Sequence, residues 1–220
     1  MIKYNILWGN VEHSLFFPFL SDFSRPWDSI SYIGDFIDMI SRELDKNDYY
    51  FIDDRIFISK SATVSKNAVI IGPCIVGPHS EIRSGAFIRG NAIIGEKCVI
   101  GNSTELKNSL LFDSVQIPHF NYVGDSILGY KAHFGAGVIT SNVKSDKTPV
   151  KIKFEGHTID TGRKKLGALV GDYVEVGCNA VLNPGTVIGR NSTVYPLSSV
   201  RGVIPENSIY KSQDNIIGKE

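Results

Sequence analysis

In the stretch QIPHFNYVGD, residues 116–125, His119 follows a proline and precedes an aromatic residue. An imidazole titrates near about pH 6.5, so it can take a proton at neutral pH, and Pro118 fixes the backbone that presents it. Downstream, FGAGVITSN sets Ala136 between Gly135 and Gly137. Flanking glycines allow a backbone N–H to come close to a developing oxyanion. Arg89 and Lys107 stand eighteen residues apart. If eighteen is one structural turn, the two stack on one face as a cationic pair suited to a phosphate. A base, an oxyanion donor and an anion site are the parts of a proton-coupled group transfer. Each residue alone also fits a solvated surface position; the combination gives them weight.

The elements that would position these residues follow from a period of six. Ile58, Val64, Ile70, Val76, Ile82, Ile88, Ile94, Ile100 and Leu106 succeed one another at that spacing, and small residues such as Ala68, Cys74, Ala86 and Cys98 fall four places after most of them. An amphipathic helix repeats every three to four residues and a hairpin strand every two, so neither fits. A short strand plus a tight corner does, and three such sides close one coil of a parallel β-helix with a triangular section and a core of aliphatic ladders. The rhythm is expected to resume at Tyr122, Leu128 and Phe134, and again from Val170 to Val200. Leu106 to Tyr122 is sixteen residues, two short of three hexads, which places a deformed coil at IPHF and turns His119 outward. The charged segment 143–167 is expected to leave one corner as a long loop.

Before Asp53 the hexad is absent. Ile33, Phe36, Ile37, Ile40 and Leu44 have helical spacing, with Asp28 or Ser29 as N-cap, and this helix is expected to cap the open first coil. The SLFFPFL stretch reads as an apolar strap. The division expected is an extension over 1–53 and a β-helix over 54–220.

Among 220 residues, 23 Lys and Arg balance 23 Asp and Glu, so no overall field draws the chain to nucleic acid or an anionic membrane. No basic, apolar leader opens the sequence and no run approaches about eighteen apolar residues, which predicts a soluble cytoplasmic protein. Cys74, Cys98 and Cys178 form no Cys-x-x-Cys pair and are expected to be small buried thiols, with no metal site.

Residues 101–142, with PH-x-x-YVGD followed by GAG-x-IT-x-N inside hexads, resemble the C-terminal acetyltransferase domain of the bifunctional N-acetylglucosamine-1-phosphate uridylyltransferase/glucosamine-1-phosphate acetyltransferase, most closely its archaeal-type relatives. The resemblance runs from about Ser59 to Ser208. It implies a left-handed β-helix, a homotrimer, acetyl-coenzyme A as co-substrate and amino-sugar phosphate chemistry in nucleotide-sugar biosynthesis. It also implies roles: His119 as general base, Ala136 and Asn142 at the acyl group, and Arg89, Lys107, Tyr122 and Lys165 on the sugar phosphate. Cys178 and Pro196 would line the coenzyme channel. His133 stands where the family has a second substrate asparagine. A non-catalytic oligomerisation module of sugar-1-phosphate nucleotidyltransferases is the competing reading. A zinc hydratase ranks last, because no two histidines stand five apart.

Overall fold

The computed structural model describes residues 4–9, 12–53 and 55–219. From Ile56 onward the hexads become two- to five-residue strands that stack in parallel into three sheets, one per face of a β-helix. The first face begins with Ile56–Ser59, Cys74–Val76 and Ala92–Ile94; the second with Thr63–Val64 and Glu81–Ile82; the third with Val69–Ile71 and Phe87–Arg89. Val76, Ile82, Ile88, Ile94, Ile100 and Leu106 are fully or almost fully buried and form one ladder-like core with Ala86, Ala92 and Cys98, the small residues that fit the crowded interior. The mainly β, hexapeptide-repeat fold is therefore the one the spacing predicts.

The register around His119 differs from the expectation. Leu111, Ile117 and Val123 are the buried core residues there, and Tyr122 points outward. QIPH is an ordinary strand, Gln116–His119, with Ile117 opposite Ile100 and inward, and Phe120 follows it at the corner with φ +53°. The count fails at two neighbouring corners. Ser109 pairs with Ala92 at a spacing of seventeen, and Leu128 follows Val123 by only five, so the corners at Asn108 and Asp125 are each one residue short. His119 faces out because it ends its strand at a corner.

The helix Ile33–Ser41 does not cap the first coil. It lies outside the first face, touching Ala92–Ile94, and is anchored where Arg55 bonds Asp38 and the Gly34 carbonyl. Nor are Asp28 and Ser29 its N-cap: both belong to the preceding 3-10 turn Pro26–Tyr32, and Tyr32 occupies the cap with no side-chain bond. What draws the extension to that face is its second row of aliphatics. Ile75, Ile93, Leu110, Ile127, Leu169 and Val187 point outward and would be exposed, but pack under Leu7, Trp8, Phe16, Leu20, Trp27 and the helix. Each large side chain so buried is worth about 1.5–3 kcal/mol. The first coil is closed instead by Tyr49–Ile52, which pairs antiparallel with Ile56–Ser59.

Phe112 is the pivot of this strap: it stacks on Trp8 at 5.6 Å and meets Phe16 edge-on at 4.9 Å. Phe112→Ala should cost about 3–5 kcal/mol in urea unfolding, and a loss below about 1 kcal/mol would show that the strap is not part of the core. The segment 143–167 leaves the corner between the third and first faces as expected, but it is ordered as a hairpin, Lys151–Phe154 against His157–Asp160. Val150, Ile152 and Leu166 join the strap cluster, which is why it folds back.

Candidate active site

The corner between the second and third faces carries His119. Its backbone holds the next coil: the His119 carbonyl accepts the Gly137 N–H at 3.1 Å, the Ala136 carbonyl accepts Asn179 N–H at 2.8 Å, and Cys178 carbonyl accepts Leu197 N–H at 2.9 Å. His119, Ala136, Cys178 and Pro196 thus belong to successive coils of one edge. The imidazole is solvent-exposed, and the Ala136 N–H has no acceptor among the described residues. Two glycines are required here. A Cβ on Gly137, at φ +76°, would stand 2.2 Å from Asn179 Oδ1, and one on Gly135 would stand 2.8 Å from the Cys178 nitrogen. Asn121, almost fully buried, fixes the corner by accepting the His119 N–H and donating to the Gly135 carbonyl at 2.8 Å.

At the other end of the third face a polar cluster centres on Asp125, which is 3% exposed. Its carboxylate accepts Asn108 Nδ2 at 2.7 Å and Asn142 Nδ2, and Lys107 Nζ lies 3.9 Å away. Asn142 Nδ2 also donates to Tyr122 Oη at 3.2 Å. Tyr122 lies over Gly124, where a Cβ would meet its hydroxyl at 2.6 Å, so its ring runs along the third face toward Asn142. Burial first, then the Asp125 and Glu105 carboxylates, raise its pKa, keeping the phenol protonated at neutral pH.

Leu106 pairs with Ile88, so Lys107 and Arg89 follow on neighbouring strands as the spacing predicts. They are not a free cationic pair, however. Arg89 binds Glu105 Oε1 at 2.8 Å and Lys107 faces Asp125, carboxylates that overall charge counting does not locate.

The structure does not bring every expected residue to this place. His133 is on the second face, in register with Gln116 and bound to Glu175 Oε2 at 2.7 Å. Lys165 is exposed, but the next residue, Leu166, donates its N–H to the Asn142 carbonyl, which fixes Lys165 beside the cluster. Cys178 is exposed because it is a corner residue, unlike Cys74 and Cys98, whose thiols burial pushes up to about 12. Asp125 and Glu105 belong to the candidate site although the sequence reading does not name them. Asp125 had a signal, as the last residue of YVGD; Glu105 had only its place two residues before Lys107.

Residues 70–159 match the family described as the GMPPB C-terminal domain. The bifunctional sugar-1-phosphate nucleotidylyltransferase/acetyltransferase of Sulfurisphaera tokodaii is 35% identical over 73% of this chain and 44% of its own length. The bifunctional protein GlmU of Methanococcus maripaludis is 35% identical over 91% of this chain and 49% of its own. The chain spans about half the length of the curated relatives it matches. Among solved structures, the acetyltransferase domain of PglB from Neisseria gonorrhoeae, in complex with acetyl coenzyme A, aligns over 75% of this chain and 58% of that one, at 16% identity and a TM-score of 0.39. No helix among the described residues is long and apolar enough to cross a membrane. By its repeats, its three-faced solenoid and its sequence relatives, the chain is a hexapeptide-repeat β-helix protein that resembles the C-terminal acetyltransferase domain of the bifunctional GlmU-type enzymes.

Proposed function

We propose that the chain is an acetyl-coenzyme A-dependent N-acetyltransferase whose acceptor is an amino sugar phosphate, with glucosamine 1-phosphate as the first candidate. The observation that carries this reading is the arrangement of the third face: an exposed histidine and an unpaired backbone N–H at one end, and the Lys107–Asp125–Asn142–Tyr122 cluster at the other. The names of the relatives support the same class of reaction.

On this reading the coenzyme lies along the edge formed by Ala136, Cys178 and Pro196. The acceptor amine attacks the thioester carbonyl while His119 takes its proton. The tetrahedral oxyanion is held by the Ala136 N–H. Collapse breaks the C–S bond, and the proton passes from His119 to the departing thiolate. The acceptor phosphate takes over Arg89 from Glu105; that ion pair is exposed and worth about 0–1 kcal/mol, so the exchange costs little. Asp125 is buried and bonded to two amides, so it stays in place and orients Lys107 and Asn142. The assembly that goes with this reading is the homotrimer implied by the resemblance, and its support is that the strap occupies the first face, while Val69, Ile71 and Ile139 on the third face and Phe120 and Leu197 at the edge of His119 are exposed apolar groups that neighbouring copies would cover.

The test is thiol release from acetyl-coenzyme A with glucosamine 1-phosphate and with free glucosamine. The phosphorylated acceptor should be far the better. Arg89→Ala should lower its kcat/KM roughly ten- to a hundredfold, the worth of one charge-assisted contact, and hardly change that of glucosamine. Equal losses for both acceptors would remove the phosphate assignment. A second reading, the non-catalytic module, draws on one observation: both cations already have carboxylate partners. No thiol release with any amino sugar or its 1-phosphate would select it.

A further inference from the structure

The inserted hairpin brings a charge pattern that the acetyl-transfer reading leaves without a role. On the strand Lys151–Phe154, Lys151 and Lys153 are exposed and alternate with buried Val150 and Ile152, so both project to the same side. That side opens on a cleft of about 550 Å³ between the hairpin and the last coils, with Arg201 also lining it. Lys144 lines it too and is paired with Asp146 at 3.1 Å. Among the described residues, the side chains of Lys151, Lys153 and Arg201 have no ion-pair or hydrogen-bond partner. Asp160 is opposite Lys151 in the hairpin register, but its carboxylate accepts the Gly162 N–H at 2.9 Å.

The cleft is a consequence of the fold. Gly202, at φ +79°, has the Lys153 carbonyl 3.7 Å from where its Cβ would be, so the hairpin backbone lies against this corner. The last coil is short here: Val200 stands eighteen residues after its partner Leu182, but Ile204 only sixteen after Ile188. Three unpaired cations gathered in one concavity raise the local potential in a chain whose formal charges sum to zero, and such a concentration attracts a multiply charged anion. Pro184, Val203 and Ile216 supply an apolar wall.

We propose that this cleft binds an organic diphosphate, of the nucleoside diphosphate class, with the phosphates on Lys151, Lys153 and Arg201 and the organic part against the apolar wall. The site is separate from the edge of Ala136, Cys178 and Pro196. It adjoins the acceptor cluster, because Ser141 and Val143, on either side of Asn142, line the neighbouring cavity of about 270 Å³ that shares Lys144, Pro184 and Arg201 with the cleft.

The experiment is titration calorimetry of the full chain with ADP, UDP, inorganic pyrophosphate and coenzyme A, for the wild type, Lys151→Ala/Lys153→Ala, Arg201→Ala and His119→Ala. The substituted cleft residues are exposed, and circular dichroism with a urea midpoint verifies that each variant folds. A nucleoside diphosphate should bind the wild type and weaken about tenfold or more in the two cleft variants, with His119→Ala and coenzyme A affinity unaffected. Pyrophosphate should bind more weakly, since it lacks the organic part. The proposal is overturned if neither nucleotide binds the wild type, if the cleft variants bind as well as it does, if pyrophosphate binds as tightly as the nucleotides, or if the variants lose coenzyme A binding, which would make the cleft the far end of the coenzyme site. Because His119→Ala reports on acetyl transfer alone, failure there and failure here are read separately.

Discussion

His119→Ala is expected to reduce acetyl transfer by about 10²- to 10⁴-fold, the usual worth of a positioned base. The loss should fall on kcat and leave coenzyme affinity near the wild-type value. Folding should be unaffected, since the imidazole is exposed and the bonds this residue makes to its neighbours, to Asn121 and Gly137, use its backbone, which alanine retains. Single-turnover thiol release on a variant with an unchanged urea midpoint checks this. A rate within about threefold of wild type would make the histidine a bystander and return attention to the module reading.

Gly101→Ala should have the largest effect on stability. Gly101 lies beneath Pro118 of the next coil, and a Cβ there would sit 1.5 Å from the Pro118 carbonyl oxygen and 2.0 Å from its carbon. No side-chain rotation relieves a clash with backbone, so the two coils must separate. The expected cost is more than about 4 kcal/mol, in the range reserved for disrupted cores and strained backbone. Since Pro118 immediately precedes His119, any folded fraction should also transfer acetyl groups poorly to every acceptor. A wild-type unfolding midpoint for this variant would contradict the close approach of the two coils.

The three-faced solenoid was legible because a period of six matches neither the helical nor the simple strand repeat, and its aliphatic positions from Val76 to Leu106 are the ones buried. Counting failed where physical closure of a corner needs one residue fewer, at Asn108 and Asp125, and a hexad counted back from Leu128 therefore turns Tyr122 inward, where Val123 stands in the structure. The strap's destination was also written in the sequence, as aliphatic doublets such as Ile75–Val76, Ile93–Ile94 and Leu110–Leu111 on every third strand; following only the inward position passes over the outward one. In the candidate site, His119, Lys107, Tyr122 and Asn142 could be named from motif and spacing. The carboxylates that meet Arg89, Lys107 and Asn142 could not, because Glu105 reaches Arg89, and Asp125 reaches Lys107 and Asn142, across neighbouring strands, corners and coils rather than at a fixed sequence interval.

Solenoids ordinarily grow and shrink by duplicating or deleting whole coils, since each coil contacts only its neighbours. The strap removes that freedom. Trp8 Nε1 reaches the Val170 carbonyl, the His13 carbonyl accepts the Asp113 N–H, and those of Leu7 and Ile6 accept the N–H groups of Asp172 and Arg190, while the helix Ile33–Ser41 is tied at Arg55. One continuous stretch of chain thus measures the distance from the first coil to the later ones and works as a ruler. Adding or removing one eighteen-residue coil between Phe57 and Val170 would leave the β-helix itself sound but pull these marks out of alignment, so in this chain the number of coils is fixed by a segment that belongs to none of them.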